Sequence, residues 1–140
     1  MYQNILVPTD GSKGARNAAE NAIRMAERYG STIHALYVMD MGDADFVATP
    51  SDIAETRARL EKKGRKYTER VRELAALEDV DCVVETRTGV AEEEILDYAE
   101  DNDIDLIVMG KRGRSDPDKP AFGTITNRVV GSTDIMVLTV

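Results

Sequence analysis

The sequence predicts an α/β fold: a five-stranded parallel, doubly wound sheet with strand order 3-2-1-4-5. Three observations carry this expectation. Short apolar runs alternate strictly with segments whose apolar residues recur at helical spacing, in the order β-α-β-α-β-α-β-α-β. The joints between them are short, which calls for parallel strands and right-handed crossovers. The apolar runs are continuous, as expected of strands covered on both faces. The 140 residues fit one domain, 1–140, and no linker, internal repeat or low-complexity tract divides them.

"YQNILVPTD" opens with Ile5-Leu6-Val7, closed by Pro8, and reads as a buried strand ending in a loop. In "GSKGARNAAENAIRMAERYG", Ala15, Ala18, Ala19, Ala22, Ile23 and Ala26 fall at helical spacing, and Gly30 is the expected stop. "STIHALYVMD" is the second strand. "MGDADFVATPSD" reads as a loop of about a dozen residues, a length usually reserved for function. Ser51 is the expected cap of the long helix that follows. In that helix Ile53, Leu60, Tyr67, Val71, Leu74 and Leu77 keep near-heptad spacing, and Gly64 costs about 1 kcal/mol relative to Ala. "VDCVVETRTG" is the third strand. "VAEEEILDYAEDND" is a helix with glutamates in its first turn, where the macrodipole favours them. "IDLIVMG" is the fourth strand, "TITNRVVGS" a short helix and "DIMVLTV" the last strand.

The chain carries a net charge of -8. Phosphate backbones need a basic face, so this composition speaks against nucleic acid as a partner. The acidity reads as a well-solvated surface or as adaptation to high salt. No tract is long enough to span a bilayer and no signal segment opens the chain, so no membrane association is expected. The single cysteine, Cys82, permits no intrachain disulfide and fits a cytoplasmic protein.

Against that acidic background, "GKRGRSDPDKPAFGT" sets Lys111, Arg112, Arg114 and Lys119 against only Asp116 and Asp118, among Gly110, Gly113 and Gly123. The segment leaves the end of the fourth strand and opens the last helix. In doubly wound sheets, ligands bind beyond the carboxyl ends of the strands, where the strand order reverses. Glycines admit a ligand to the backbone, and a helix N-terminus offers unpaired donors with partial positive charge. Thr124 adds a hydroxyl. Together these features describe a phosphate site. The two common phosphate loops, G-x-x-x-x-G-K-[ST] and a G-x-G-x-x-G after the first strand, are absent.

The spacing here is G-x2-G-x9-G-[ST], placed after a strand reading "DLIVMG". It resembles the ATP-binding signature of the universal stress protein family. "YQNILVPTDGS" is similar to that family's opening strand and loop, "YVMD" to the end of its second strand, and "AEEEILDYAEDNDIDLIVMGKRGRS" to its third helix and fourth strand. The resemblance covers nearly the whole chain. It implies a Rossmann-like domain of the adenine nucleotide alpha hydrolase-like type that binds ATP, with magnesium held through the phosphates. Asp10 would hold the ribose hydroxyls, with Pro8 and Thr9 lining the pocket, and Val38 would meet adenine through its backbone. Gly110 and Gly113 would pass under ribose and phosphates, with Lys111 and Arg112 between them also in the nucleotide site. Arg114, Ser115, Gly123, Thr124 and Ile125 would hold the phosphates. The resemblance also implies a homodimer through the last strand, which is apolar and lies at a sheet edge. Two features depart from the family pattern: "RSDPDKPAF" is charged and holds Pro117 and Pro120 where leucines are usual, and "GSTDIMV" replaces a proline-containing approach to the last strand.

Plainer roles stand beside these. The glycines also read as turn residues, and Asp10 as a helix cap or an Asx-turn with Gly11. His34 reads as structural and Cys82 as a small core residue. Asp40, Asp43 and Asp45 read as an acidic loop or a cation site. No catalytic triad, carboxylate pair or zinc spacing is present in the sequence. The expected function is therefore a nucleotide-responsive stress or signalling module, at most a slow ATPase. The alternatives are an interaction protein of the same fold that binds no nucleotide, or a nucleotidyl-transfer enzyme, for which the SGG-x-DS and HIGH-type motifs are missing.

Overall fold

The computed structural model describes residues 2–41, 49–111 and 124–140. The elements are β1 (Asn4–Pro8), α1 (Lys13–Tyr29), β2 (Thr32–Met39), α2 (Pro50–Leu77), β3 (Cys82–Thr88), α3 (Ala91–Asp101), β4 (Leu106–Met109), α4 (Thr124–Ser132) and β5 (Met136–Thr139). The strands form one sheet in the order β3-β2-β1-β4-β5. Every neighbouring pair is parallel, as predicted.

Side chains alternate across a strand, so each central strand feeds two cores. Ile5 and Val7, Ile33 and Ala35, and Leu106 and Val108 point to one face, where they meet the alanine stripe of α1 and Val71 and Ala75 of α2. Leu6, Leu36, Ile107 and Met109 point to the other, against Ile95, Tyr98 and Ala99 of α3 and Val129 of α4. Burying an aliphatic side chain of this size contributes about 1.5–3 kcal/mol, so the three central strands carry most of the hydrophobic stabilisation. Alanines at 18, 19, 22 and 26 leave little side chain between α1 and the sheet. That thin layer lets the first turn of α1 approach the end of β4.

Helix ends follow local chemistry. The Ser12 hydroxyl caps α1 by accepting from the Ala15 N–H at 3.1 Å. Gly30 ends the helix in the left-handed region, φ 70°. The cap of α2 is Thr49, two residues before the expected Ser51. The Thr49 hydroxyl accepts from Asp52 N–H and the Asp52 carboxylate accepts from Thr49 N–H. This reciprocal box, with Pro50 at the first helical position, satisfies two orphan donors and outcompetes a lone serine inside the first turn. Two further expectations are corrected. Gly64 is no simple weak point, because a Cβ there would lie 2.6 Å from the Tyr37 ring. β3 and β5 are not covered on both faces: they are the sheet edges, and their burial alternates, with Val83 45 % and Met136 58 % exposed.

Candidate functional site

The strand order reverses between β1 and β4, which stand side by side in the middle of the sheet. Their carboxyl ends lead into the two segments singled out from the sequence. After β1, the Thr9 N–H donates to the Leu36 carbonyl at 2.8 Å, so the chain stays in register with β2 one residue beyond the strand. It then turns sharply. The Asp10 carboxylate accepts from the Ser12 N–H at 2.9 Å, and the Thr9 hydroxyl from the Gly11 N–H at 3.3 Å. Gly11 has φ +77°, a conformation that L side chains rarely adopt. Of the two plain roles open to Asp10, the structure displays the Asx-turn; the helix cap is Ser12. Asp10 remains half-buried at the mouth of this turn.

β4 ends against the same turn region. A Cβ on Gly110 would lie 2.6 Å from the carbonyl carbon of Gly14 and 2.7 Å from its oxygen. Glycine at 110 is therefore required by the contact with the first turn of α1, whatever else it does. Its carbonyl accepts from the Thr126 hydroxyl at 2.9 Å, which ties the first turn of α4 to the end of β4. The Lys111 N–H donates to the Val140 carbonyl at 2.8 Å, and the Lys111 side chain is exposed. Thr124 and Ile125 open α4 and are exposed, and no acidic residue stands in that first turn. Val38, near the end of β2, is half-buried and packs on the α3–α4 side of the sheet.

The structure thus collects Pro8, Thr9, Asp10, Val38, Gly110, Lys111, Thr124 and Ile125 at the carboxyl ends of adjoining strands and the start of α4. Arg112, Gly113, Arg114, Ser115 and Gly123 lie outside the described residues, as do Asp43 and Asp45. Gly14 and Thr126, which close the joint around Gly110, escaped the sequence reading. Gly14 carried a signal, a second small residue just inside α1; Thr126 carried none.

Two residues with plainer readings are structural. The His34 Nε2–H donates to the Asn4 Oδ1 at 3.0 Å, and the Tyr98 hydroxyl donates to Nδ1 at 2.7 Å. Burial holds the His34 pKa below its ordinary value, against an opposing pull from Glu85. Burial, aided by Glu85, pushes Tyr98 up to about 12. The imidazole is thus neutral and fully bonded. Cys82 is partly buried, and burial pushes its thiol up to about 11, which leaves it unreactive as a nucleophile.

A doubly wound α/β protein with glycine backbone packed closely beside its switch point is a class wider than any one family. Comparison with known proteins narrows it. The universal stress protein family profile matches residues 1–140, and the chain belongs to that family. It is 32 % identical over 145 aligned residues to the universal stress protein MJ0531 of Methanocaldococcus jannaschii, covering 100 % of this chain and 82 % of that one. The solved structure of UspA from Lactobacillus plantarum superposes with a TM-score of 0.85 at 30 % identity, over 99 % of this chain and 97 % of that one. The solved structure of MJ0577 superposes at 0.89 with 25 % identity, over 100 % and 96 %. More distant universal stress proteins share the fold: one from Arabidopsis thaliana was solved with AMP bound and another in complex with cAMP, at 17 % and 20 % identity.

Proposed function

We propose that this chain is an ATP-binding universal stress protein, a single nucleotide-binding domain whose conformation or assembly responds to the nucleotide. The observation that carries the reading is the contact of Gly110, the first glycine of the G-x2-G-x9-G-T segment, with Gly14 in the helix turn that follows Asp10, at the switch point between β1 and β4. The residues there fit the ligand chemically. Asp10 supplies a carboxylate for ribose hydroxyls, and Val38 an apolar wall and backbone for adenine. Lys111 supplies positive charge, and the acid-free first turn of α4 supplies helix N–H groups for phosphate. Arg112, Gly113, Arg114, Ser115 and Gly123 complete the phosphate side on the sequence motif alone, and magnesium would arrive with the phosphates. The AMP and cAMP of the distant relatives support an adenine nucleotide as the ligand class. No helix among the described residues is long and apolar enough to cross a membrane, and the proposed setting is the cytoplasm.

Calorimetry on the full chain tests this. ATP should bind with micromolar affinity, about -8 kcal/mol, and AMP more weakly, because most of the glycine segment addresses phosphates beyond the first. No heat with ATP at any magnesium concentration would favour the interaction-protein reading.

We also propose that the protein forms a homodimer through β5. The Val140 N–H donates to the Met109 carbonyl and its own carbonyl accepts from Lys111. By alternation, the N–H groups of Val137 and Thr139 point away from β4, toward the free edge. Met136 and Leu138 are 58 % and 36 % exposed beside that edge. An antiparallel copy about a two-fold axis would cover both the donors and the side chains. Val137→Pro removes an outward donor while sparing the ladder to β4. Sedimentation should then show loss of the dimer, and a wild-type monomer at micromolar concentration in low and high salt would refute the pairing.

A further inference from the structure

We propose that Tyr67, on α2, is a positioning residue for Asp10: its ring sets the turn that aims the Asp10 carboxylate at the ribose of a bound nucleotide. The inference rests on the nucleotide reading above and adds to it a residue far from the glycine motif in sequence. The place a Cβ would take on Gly11 lies 2.5 Å from Tyr67 Cε1, 2.8 Å from Cε2 and closer still to Cζ. The tyrosine ring therefore lies directly against the α-carbon of the residue that follows Asp10.

Within the turn, the Asp10 carboxylate accepts from the Ser12 N–H and the Thr9 hydroxyl from the Gly11 N–H. Bonds of this kind contribute about 0.5–1.5 kcal/mol each and are readily exchanged with water. A glycine at φ +77° with no side chain of its own can leave that conformation easily. A ring pressed on its α-carbon removes the space into which it would move.

The ring is itself held from the core. Tyr67 and Gly64 lie one helical turn apart, on the same face of α2. Gly64 lacks the Cβ that would stand 2.6 Å from the Tyr37 ring, so Tyr37 of β2 fits beneath the helix. Tyr37 is buried, and its ring centroid lies 5.9 Å from that of Tyr67 at a tilt of 55°. Tilted aromatic contacts of this kind fix ring orientation as well as burying area. The support runs from β2 through Tyr37 and Tyr67 to Gly11 and so to Asp10. Gly11 and Gly64 are thus two halves of one device, each omitting a side chain to admit a tyrosine.

The test pairs a protein change with a ligand change. ATP and 2′,3′-dideoxy-ATP, which lacks the hydroxyls that Asp10 would accept from, are titrated calorimetrically into wild type, Tyr67→Phe and Tyr67→Ala, with melting temperatures measured alongside. Tyr67→Phe removes only the hydroxyl, so the difference between Tyr67→Phe and Tyr67→Ala reports the ring itself. Tyr67→Ala should weaken ATP about tenfold and dideoxy-ATP less than about twofold, because the lost interaction is the one the analogue never makes. Equal weakening of both nucleotides would mean a general packing role and overturn the proposal, as would unchanged ATP affinity. Should Tyr67→Ala fail to fold, Tyr67→Leu, which keeps apolar bulk without the flat ring, carries the same expectation. Wild type that binds neither nucleotide overturns the ATP reading and this role with it. Wild type that binds both equally leaves ATP binding standing and removes the ribose contact, and the role of Tyr67 with it.

Discussion

At the amino ends of the strands the ties are polar side chains, whereas at their carboxyl ends side-chain bonds such as Thr126 to Gly110 are joined by close contacts on bare glycine backbone. The amino end is a mesh. The Asp105 carboxylate accepts from the Gln3 N–H at 2.8 Å and the Asn4 N–H at 3.2 Å, joining the start of β4 to β1. Asn4 accepts from His34 of β2, and His34 accepts from Tyr98 of α3. At the carboxyl end Gly110 meets Gly14 and Tyr67 meets Gly11, each contact possible only because a side chain is missing. Side-chain hydrogen bonds tolerate small shifts, whereas backbone in van der Waals contact does not. The end that holds the candidate site is therefore the geometrically stricter one, which suits the proposed presentation of backbone N–H groups to a ligand.

The comparison can be broken most severely at Gly110. Gly110→Val places a Cβ inside contact distance of helix backbone, which cannot swing aside as a side chain can. We expect a loss of about 3 kcal/mol or more in urea unfolding. A variant within 1 kcal/mol of wild type would show that the joint with α1 is loose.

Tyr98→Phe, in the amino-end mesh, should cost about 2 kcal/mol, because it leaves the buried Nδ1 of His34 without a donor. The same histidine makes stability depend on pH. Its folded pKa lies below the ordinary value of about 6.5, so the unfolded chain binds the proton more readily. His34 therefore contributes in full above pH 6.5, and its contribution falls as the pH drops from there toward the folded pKa. The slope from this one group is at most about 1.4 kcal/mol per pH unit. His34 is the chain's only histidine, so its ring resonances report the titration directly. A midpoint at or above 6.5 would contradict the neutral, hydrogen-bonded imidazole.

Arg128→Ala should have the smallest effect. Its guanidinium lies 2.8 Å from Glu92 and bridges α4 to the first turn of α3, but the arginine side chain is 59 % exposed. Exposed pairs contribute about 0–1 kcal/mol. Thermal unfolding should change little, and less still at high salt. A large effect would mean that this ion pair, and not only the glycine contacts, holds the carboxyl end together.

Much of this molecule can be read locally. The apolar runs at Ile5–Val7 and Leu106–Met109 and the alanine periodicity of α1 mark strands and a helix, because burial on both faces makes one a short continuous run and burial on one face gives the other a period of 3.6. Strict alternation of the two then implies a parallel doubly wound sheet and places the glycine segment beyond a strand end. The cap of α2 is nearly legible too, since Thr49, Pro50 and Asp52 form a recognisable box once Ser51 is not preferred. The edge character of β3 and β5 follows from strand order, yet their one-sided burial does not follow from composition, because "CVV" reads as apolar whether or not a helix covers it.

The elements, their order and the glycine-rich basic segment beyond β4 can be read from the sequence, since each depends on residues close together in the chain. Only the tertiary structure decided why particular glycines stand where they do. Gly110 answers to Gly14, Gly64 to Tyr37 and Gly11 to Tyr67. Each pair is far apart in sequence, and no periodicity or motif records which atoms will occupy the space that a missing Cβ leaves.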